Sequence, residues 1–386
     1  MKHRTDMFRV PVVLYRGGTS KAVFIKEYDL PAESARRDRV INAIFGSPDK
    51  RQIDGLGGAD PLTSKLAVIG PPSRPDADVD YDFAQVDILS PTVYFGAVCG
   101  NITAAVGPYA IEEGFVRPED GLTRVRIHSR NIGRIIEAVV PTPGRVVKVT
   151  GDYVIDGVPG SGAQIELNWA DTVGANTGDV LPTGFPRDTL EVNGVGRIEV
   201  SIVDVGNPGV FVKAADIGLL GSETPEQVDS DRELLGKCEA IAAAATAKIG
   251  KMAFLTYVAP PADYINHVTG GTVPAAHADL LVRMIFMGAM HKTYAASQTN
   301  CCGAAAMIPG TVVQEIVSPA VTENGRIRLG HSAGIADVEV TAEERAGKVK
   351  FSRISVNRTA RRLMEGYAFV KSEVLSTLSV DRREKK

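Results

Sequence analysis

Apolar residues in this chain come in short runs, nearly all bounded by glycine or proline, and that punctuation limits the fold more than any other feature. With 39 glycines and 22 prolines in 386 residues, few segments can run long enough to form an extended helix. The runs at residues 8–14, 20–25, 65–69, 79–88, 123–128 and 134–140 are apolar or alternating and read as strands. Residues 33–45, with an amphipathic charge pattern, and 101–113, rich in small apolar residues and stopped by Gly114, read as helices. The second half repeats the style, with strands expected at 197–205, 210–213, 253–258 and 281–287 and an alanine-rich helix at 231–248. A further small-residue helix is expected to begin near Cys302, because Cys302-Gly303-Ala304 echoes the Cys99-Gly100-Asn101 start of the earlier one. The echo suggests duplication.

A chain of this length suits two domains of about 150–200 residues each. The glycine- and proline-rich stretch 171–188 is the natural linker, giving expected domains 1–188 and 189–386 of an α+β protein. The tail, Asp381 to Lys386, is charged and expected to fray. A formal charge of −3 without long charged runs gives no reason to expect nucleic acid or a membrane surface as partner. Four cysteines without regular spacing, Cys99, Cys238, Cys301 and Cys302, fit a reducing compartment. No stretch approaches the ~20 apolar residues of a membrane span or resembles a signal peptide, so the expected location is the cytoplasm. The residues do not fix an oligomeric state; a homodimer is allowed.

Three glycine segments could carry chemistry. Asp54 to Lys65 superficially resembles a phosphate-binding loop, but the spacing is wrong and a strand follows where a helix is needed. Lys65, closing that loop before an apolar strand, is an ordinary surface lysine or a partly desolvated base. Cys99, just before a helix of small residues, faces unpaired N–H groups that favour a thiolate or hold a carboxylate; a buried inert thiol is the other reading. The turn Thr19-Ser20-Lys21 offers hydroxyls and amides to an acid, or is only a hairpin. Asn207 and the turn His331-Ser332 are similar small-residue sites. The six histidines form no ligand pair, and there is no nucleophile elbow, so no metal is expected and hydrolysis is a minor reading.

Taken together, Arg16-Gly17-Gly18-Thr19-Ser20-Lys21, the segment Gln52 to Lys65 and Cys99-Gly100-Asn101 resemble the PrpF family, which includes 2-methylaconitate isomerase, 3-methylitaconate isomerase and 4-oxalomesaconate tautomerase. The resemblance continues through Asp204 to Pro208, His291 to Ala295, Met307 to Thr311 and Arg358 to Arg362, nearly the whole chain. It implies a diaminopimelate-epimerase-like fold, two similar domains each wrapping a β-sheet or barrel around a central helix, with the active site in the cleft. Both helix N-termini would then point into the cleft, with Cys99 and Cys302 near opposite sides of a bound acid. The family resemblance also implies that Lys65 and Cys99 form the acid/base pair, in either order, while Cys301 and Cys302 receive no catalytic role.

The expected reaction is a cofactor-independent 1,3-allylic proton shift, giving double-bond migration or cis/trans isomerisation, on a small unsaturated di- or tricarboxylate. Thr19, Ser20, Lys21, Ser64, Gly100, Asn101, Asn207, Gly303, Ala304, His331 and Ser332 are expected to hold the substrate. No redox step occurs, so no nicotinamide, flavin or metal is needed. The version Gly58 to Thr63 looks more like the methylitaconate and oxalomesaconate branches than the methylaconitate branch, and methylitaconate is the narrower expectation. An amino-acid epimerase and a tricarboxylate-binding accessory protein are the competing readings.

Overall fold

The computed structural model describes residues 3–4, 6–345 and 348–376; the expected fraying of Asp381 to Lys386 lies outside them. The strands of four or more residues in the first half are β1 (Met7–Gly17), β2 (Ser20–Lys26), β3 (Lys65–Gly70), β4 (Val79–Val86), β5 (Gly121–Ser129), β6 (Arg134–Thr142) and β7 (Ile165–Asn168). Those of the second are β8 (Asp188–Val192), β9 (Gly196–Val205), β10 (Asn207–Lys213), β11 (Phe254–Ala259), β12 (Leu280–Phe286), β13 (Arg326–His331), β14 (Gly334–Arg345) and β15 (Lys348–Arg358). A last strand, β16 (Ala360–Lys371), returns to the first half and pairs antiparallel along the whole of β1. Pairing therefore carries β16 across the expected boundary at 188/189, back to the chain's opening strand.

Both halves follow one pattern. In the order β16-β1-β2-β3-β4-β5-β6-β7, neighbours are antiparallel except β2 with β3 and β4 with β5. In the order β8-β9-β10-β11-β12-β13-β14-β15, they are antiparallel except β10 with β11 and β12 with β13. The parallel pairs fall at the same places, and β7 pairs with β15 to join the halves. The two halves thus repeat one topology.

Each parallel step needs a crossover, and helices supply it. In the first half α1 (Ser34–Phe45) follows β2 and α2 (Gly100–Glu112) follows β4. In the second, α3 (Arg232–Ile249) follows β10 and α4 (Ala296–Met307) follows β12. The strand period of two then sorts side chains between an outer and an inner helix. On β3, Leu66 and Val68 pack with α1, while Ala67 and Ile69 pack with α2. Strand β3 is buried at every position, as expected for a strand covered on both faces.

The inner helices are built of small residues because each is enclosed by its own sheet: every residue of 100–111 and of 296–306 is buried. Helix α4 begins at Ala296, not near Cys302. Cys301 and Cys302 are fully buried in its interior, where burial pushes the Cys302 thiol up to about 12. The expected linker 171–188 is held by Asp204, whose buried carboxylate accepts hydrogen bonds from the amides of Asn176 and Thr177. Among the described residues no helix is long and apolar enough to cross a membrane.

Gly303 lets α4 lie against β14. A Cβ there would come within 2.8 and 2.9 Å of the two methyl groups of Val338. Gly303→Val should therefore overpack this contact and lower stability by about 1–3 kcal/mol, read from the midpoint of urea unfolding; an unchanged midpoint would show that the sheet gives way freely.

Candidate active site

The two inner helices meet head to head. Cys99, the residue before α2, and Ala295, the residue before α4, both have extended backbone, and neither helix has a side-chain cap. A Cβ on Gly100 would lie 2.8 Å from Ala296 Cβ and 3.0 Å from Ser297 N, so only glycine permits this approach. Asn207 locks the junction: its Nδ2 donates to Val98 O (2.8 Å) and Ser297 Oγ (3.0 Å), and its Oδ1 accepts from Val98 N (3.1 Å). The uncapped amides of both first turns, with the positive ends of both helix dipoles, thus converge on one cavity of about 450 Å³.

Lys65, Cys99, Ser20, Gly100, Asn101 and Asn207 all line that cavity. Period two accounts for the first and third. Lys65 shares the inner face of β3 with Ala67, and Ser20 shares that of β2 with Ala22 and Phe24. Lys21 and Ser64 fall on the opposite parity and are not in the lining. Ser64 instead donates to Gln52 Oε1 at 2.6 Å, inside the glycine loop.

Lys65 is 4% exposed, and among the described residues no carboxylate forms an ion pair with it. Its Nζ donates to Gln85 Oε1 at 2.7 Å and lies 5.2 and 5.8 Å from the ring centres of Phe83 and Phe286. Gln85 sits directly opposite Lys65 in the β3–β4 register. Its Nε2 donates to Pro61 O and Ser64 O, which fixes the amide with its oxygen toward the lysine. Burial pulls the Lys65 ammonium below its ordinary range, offset in part by Cys99 and by Asp60, which is paired with Lys292. The neutral amine is the form this setting favours.

Two residues that sequence reasoning passed over complete the polar end. His291 lines the cavity with Nδ1 accepting from Thr293 N (3.2 Å), leaving the ring proton on Nε2. Burial, with some help from Lys65, lowers its pKa to about 4, so the ring is neutral. Ser297, in the first turn of α4, is the second. The sequence did hold a signal, since His291 to Ala295 leads straight into the second inner helix. Ser20 Oγ is buried with no hydrogen-bond partner among the described residues, a hydroxyl that could meet a ligand.

The remaining expected residues are elsewhere. Thr19 lies behind Asn101, accepting from its Nδ2 at 3.1 Å, while Asn101 Oδ1 accepts from the buried Arg358 at 3.2 Å. Thr19 and His331 line a smaller cavity of about 190 Å³ on the far side of that bridge. Ser332 donates to Lys292 O at 2.9 Å and lines neither cavity. Gly303 and Ala304 are interior residues of α4, two turns from its start; the second-half turn facing the cavity is Ala295-Ala296-Ser297. Among the described residues, no group of three or more His, Cys, Asp or Glu could hold a metal ion.

This architecture has known relatives. A family model described as PrpF protein matches residues 7–371. The 3-methylitaconate isomerase of Eubacterium barkeri is 46% identical over 384 residues, spanning 96% of this chain and 100% of that protein. A crystal structure of methylitaconate-delta-isomerase superposes with a TM-score of 0.80 at 45% identity, covering 98% of this chain and 100% of the other. A hydroxyproline epimerase from Agrobacterium vitis shares the fold alone, with a TM-score of 0.56 at 11% identity over 94% of this chain and 92% of that one. The chain belongs to the PrpF family and is an isomerase.

Proposed function

We propose that this isomerase moves a proton across an unsaturated dicarboxylate of the methylitaconate type, with Lys65 as base, Cys99 as acid and no cofactor. The observation that carries the reading is a buried lysine without a carboxylate partner, sharing one cavity with a cysteine at the mouth of two converging helix N-termini. The 3-methylitaconate isomerase relative, matched over nearly its full length, supports the substrate class.

The substrate carboxylates would be held by the first-turn amides of α2 and α4, by Ser20 Oγ and by the Nε2–H of His291. The neutral amine of Lys65 takes the allylic proton. The C–H electron pair shifts into the adjacent double bond and the conjugated carboxylate, giving a dienolate whose negative charge faces the helix amides. The Cys99 thiol then protonates the other end of the allyl system, and the double bond has moved by one carbon. The resulting ammonium and thiolate return to amine and thiol by proton exchange with solvent. Lys65 is the one lysine or arginine lining the cavity among the described residues, which favours a dicarboxylate over a tricarboxylate.

The direct test is proton NMR in D2O with 3-methylitaconate, aconitate and oxalomesaconate. Double-bond migration with deuterium incorporation is expected for methylitaconate and should fall by about 10²–10⁴-fold in Lys65→Ala; wild-type exchange in that variant removes Lys65 from the chemistry. A second test uses the lysine's neighbour. Gln85→Glu sets a carboxylate against Nζ, which raises the Lys65 pKa. A base works only when neutral, so the acid limb of kcat/KM should move to higher pH by about 1–3 units. A limb that stays in place would assign the base to another group.

A further inference from the structure

The cavity is larger than the proposed substrate needs, and its two ends differ in chemistry. Its volume of about 450 Å³ falls among pockets for drug-sized ligands, about 300–1,000 Å³, well beyond a diacid with a single methyl branch. The acid/base pair and the helix amides occupy one end. The other end, supplied by the second half, is walled by Ala242 of α3, Met252, Phe254, Met284, Phe286 and Met287. The Phe254 and Phe286 rings are tilted with their centres 5.9 Å apart, and Lys65 Nζ lies 5.8 Å from the centre of the same Phe286 ring, so this apolar lobe opens directly from the reacting end. It reaches solvent past Met252 and Met287, which are about half exposed. The Tyr94 hydroxyl lies 3.6 Å from the Met252 sulfur across the cleft.

Two features say what the lobe takes. It contains no cation to receive a further carboxylate, and the other charged residues in the lining, Asp87 and Glu239, are acidic. An additional negative group is therefore disfavoured there, whereas an alkyl chain is welcome. The second feature is backbone strain at Met287. It precedes Gly288 in the two-residue turn after β12, with Phe286 paired to Ala289, and both turn residues have positive φ, 52° and 74°. Such turns favour Asn-Gly. A methionine held left-handed there is locally unfavourable, and its side chain lines the lobe. Methionine suits a wall that must adapt to chains of different length.

We propose that the enzyme acts on unsaturated dicarboxylates carrying an alkyl branch longer than methyl, with the branch lying in this lobe. The proposal rests on the isomerase reading above and adds the specificity. Burial of each methylene should improve binding about fourfold until the chain reaches solvent.

Two measurements test it. Calorimetric binding of the unreactive 2-methyl-, 2-propyl- and 2-pentylsuccinates should show Kd falling at least tenfold from methyl to pentyl. NMR assays of itaconates with methyl, propyl and pentyl branches should show kcat/KM rising in the same order. Ala242→Phe, which fills the lobe, should cut the pentyl-to-methyl ratio of kcat/KM at least tenfold. Met287→Asn should lower that ratio while raising the melting temperature, because asparagine relieves the turn. Turnover of the methyl compound with rejection of propyl and pentyl would overturn the lobe's role and leave the isomerase reading standing. Exchange in none of the three, with flat binding across the succinates, would overturn both.

Discussion

The structure turns on an unfavourable meeting: two helices buried in the interior with their like, positive ends abutting. Dipoles in this arrangement repel, and the low-dielectric surroundings of α2 and α4 weaken the repulsion little. What holds them is steric and polar. Gly100 removes the side chain that would force them apart, and Asn207 ties the residue before Cys99 to the first turn of α4 with three hydrogen bonds. A dianion between the helix ends offsets the repulsion and satisfies the orphan amides in one step. The proposed substrate, rich in carboxylate oxygen, matches the charge that the two helix ends present.

Lys65 extends the same logic. A cation beside two positive helix ends would add to the repulsion, and burial already disfavours its charge. Burial favours the neutral amine, and that is the form the proposed base requires. Gln85 can accept a hydrogen bond from that amine without supplying the charge that an acidic residue would bring. His291 obeys the same rule, kept neutral by burial with its donor nitrogen unspent.

Much of this was legible in the sequence, for reasons that the sheet makes plain. The strand and helix runs of the first 290 residues lie close to the observed elements because glycine and proline mark their ends. That Lys65 and Cys99 stand at the cavity is legible in the sequence, because each lies where a loop of small residues meets a regular element. Lys21 and Ser64 fall outside the cavity lining because neighbours of a lining residue on a strand face the other way, a parity that needs only period two. Gly303 and Ala304 lie inside α4, away from the cavity: Cys302-Gly303 imitates Cys99-Gly100 in letters, whereas the structural counterpart of Cys99 is Ala295, which shares no chemistry with it. Gln85 became visible only through register, and the long strands after residue 330, alternating apolar and charged, were not read at all.

Strand β16 pairs with β1 from Gly17↔Ala360 to Met7↔Lys371, so β1 waits for a strand that is made only after β8 to β15. Until then β1 keeps an open edge, and the first half stays unfinished through synthesis of the whole second half. The second half needs no such partner, since β8 to β15 pair among themselves in chain order. The halves are therefore completed in the reverse of the order in which they are translated, and β1, with buried Val10, Val12 and Val13, is left as an open edge prone to nascent-chain aggregation and chaperone binding.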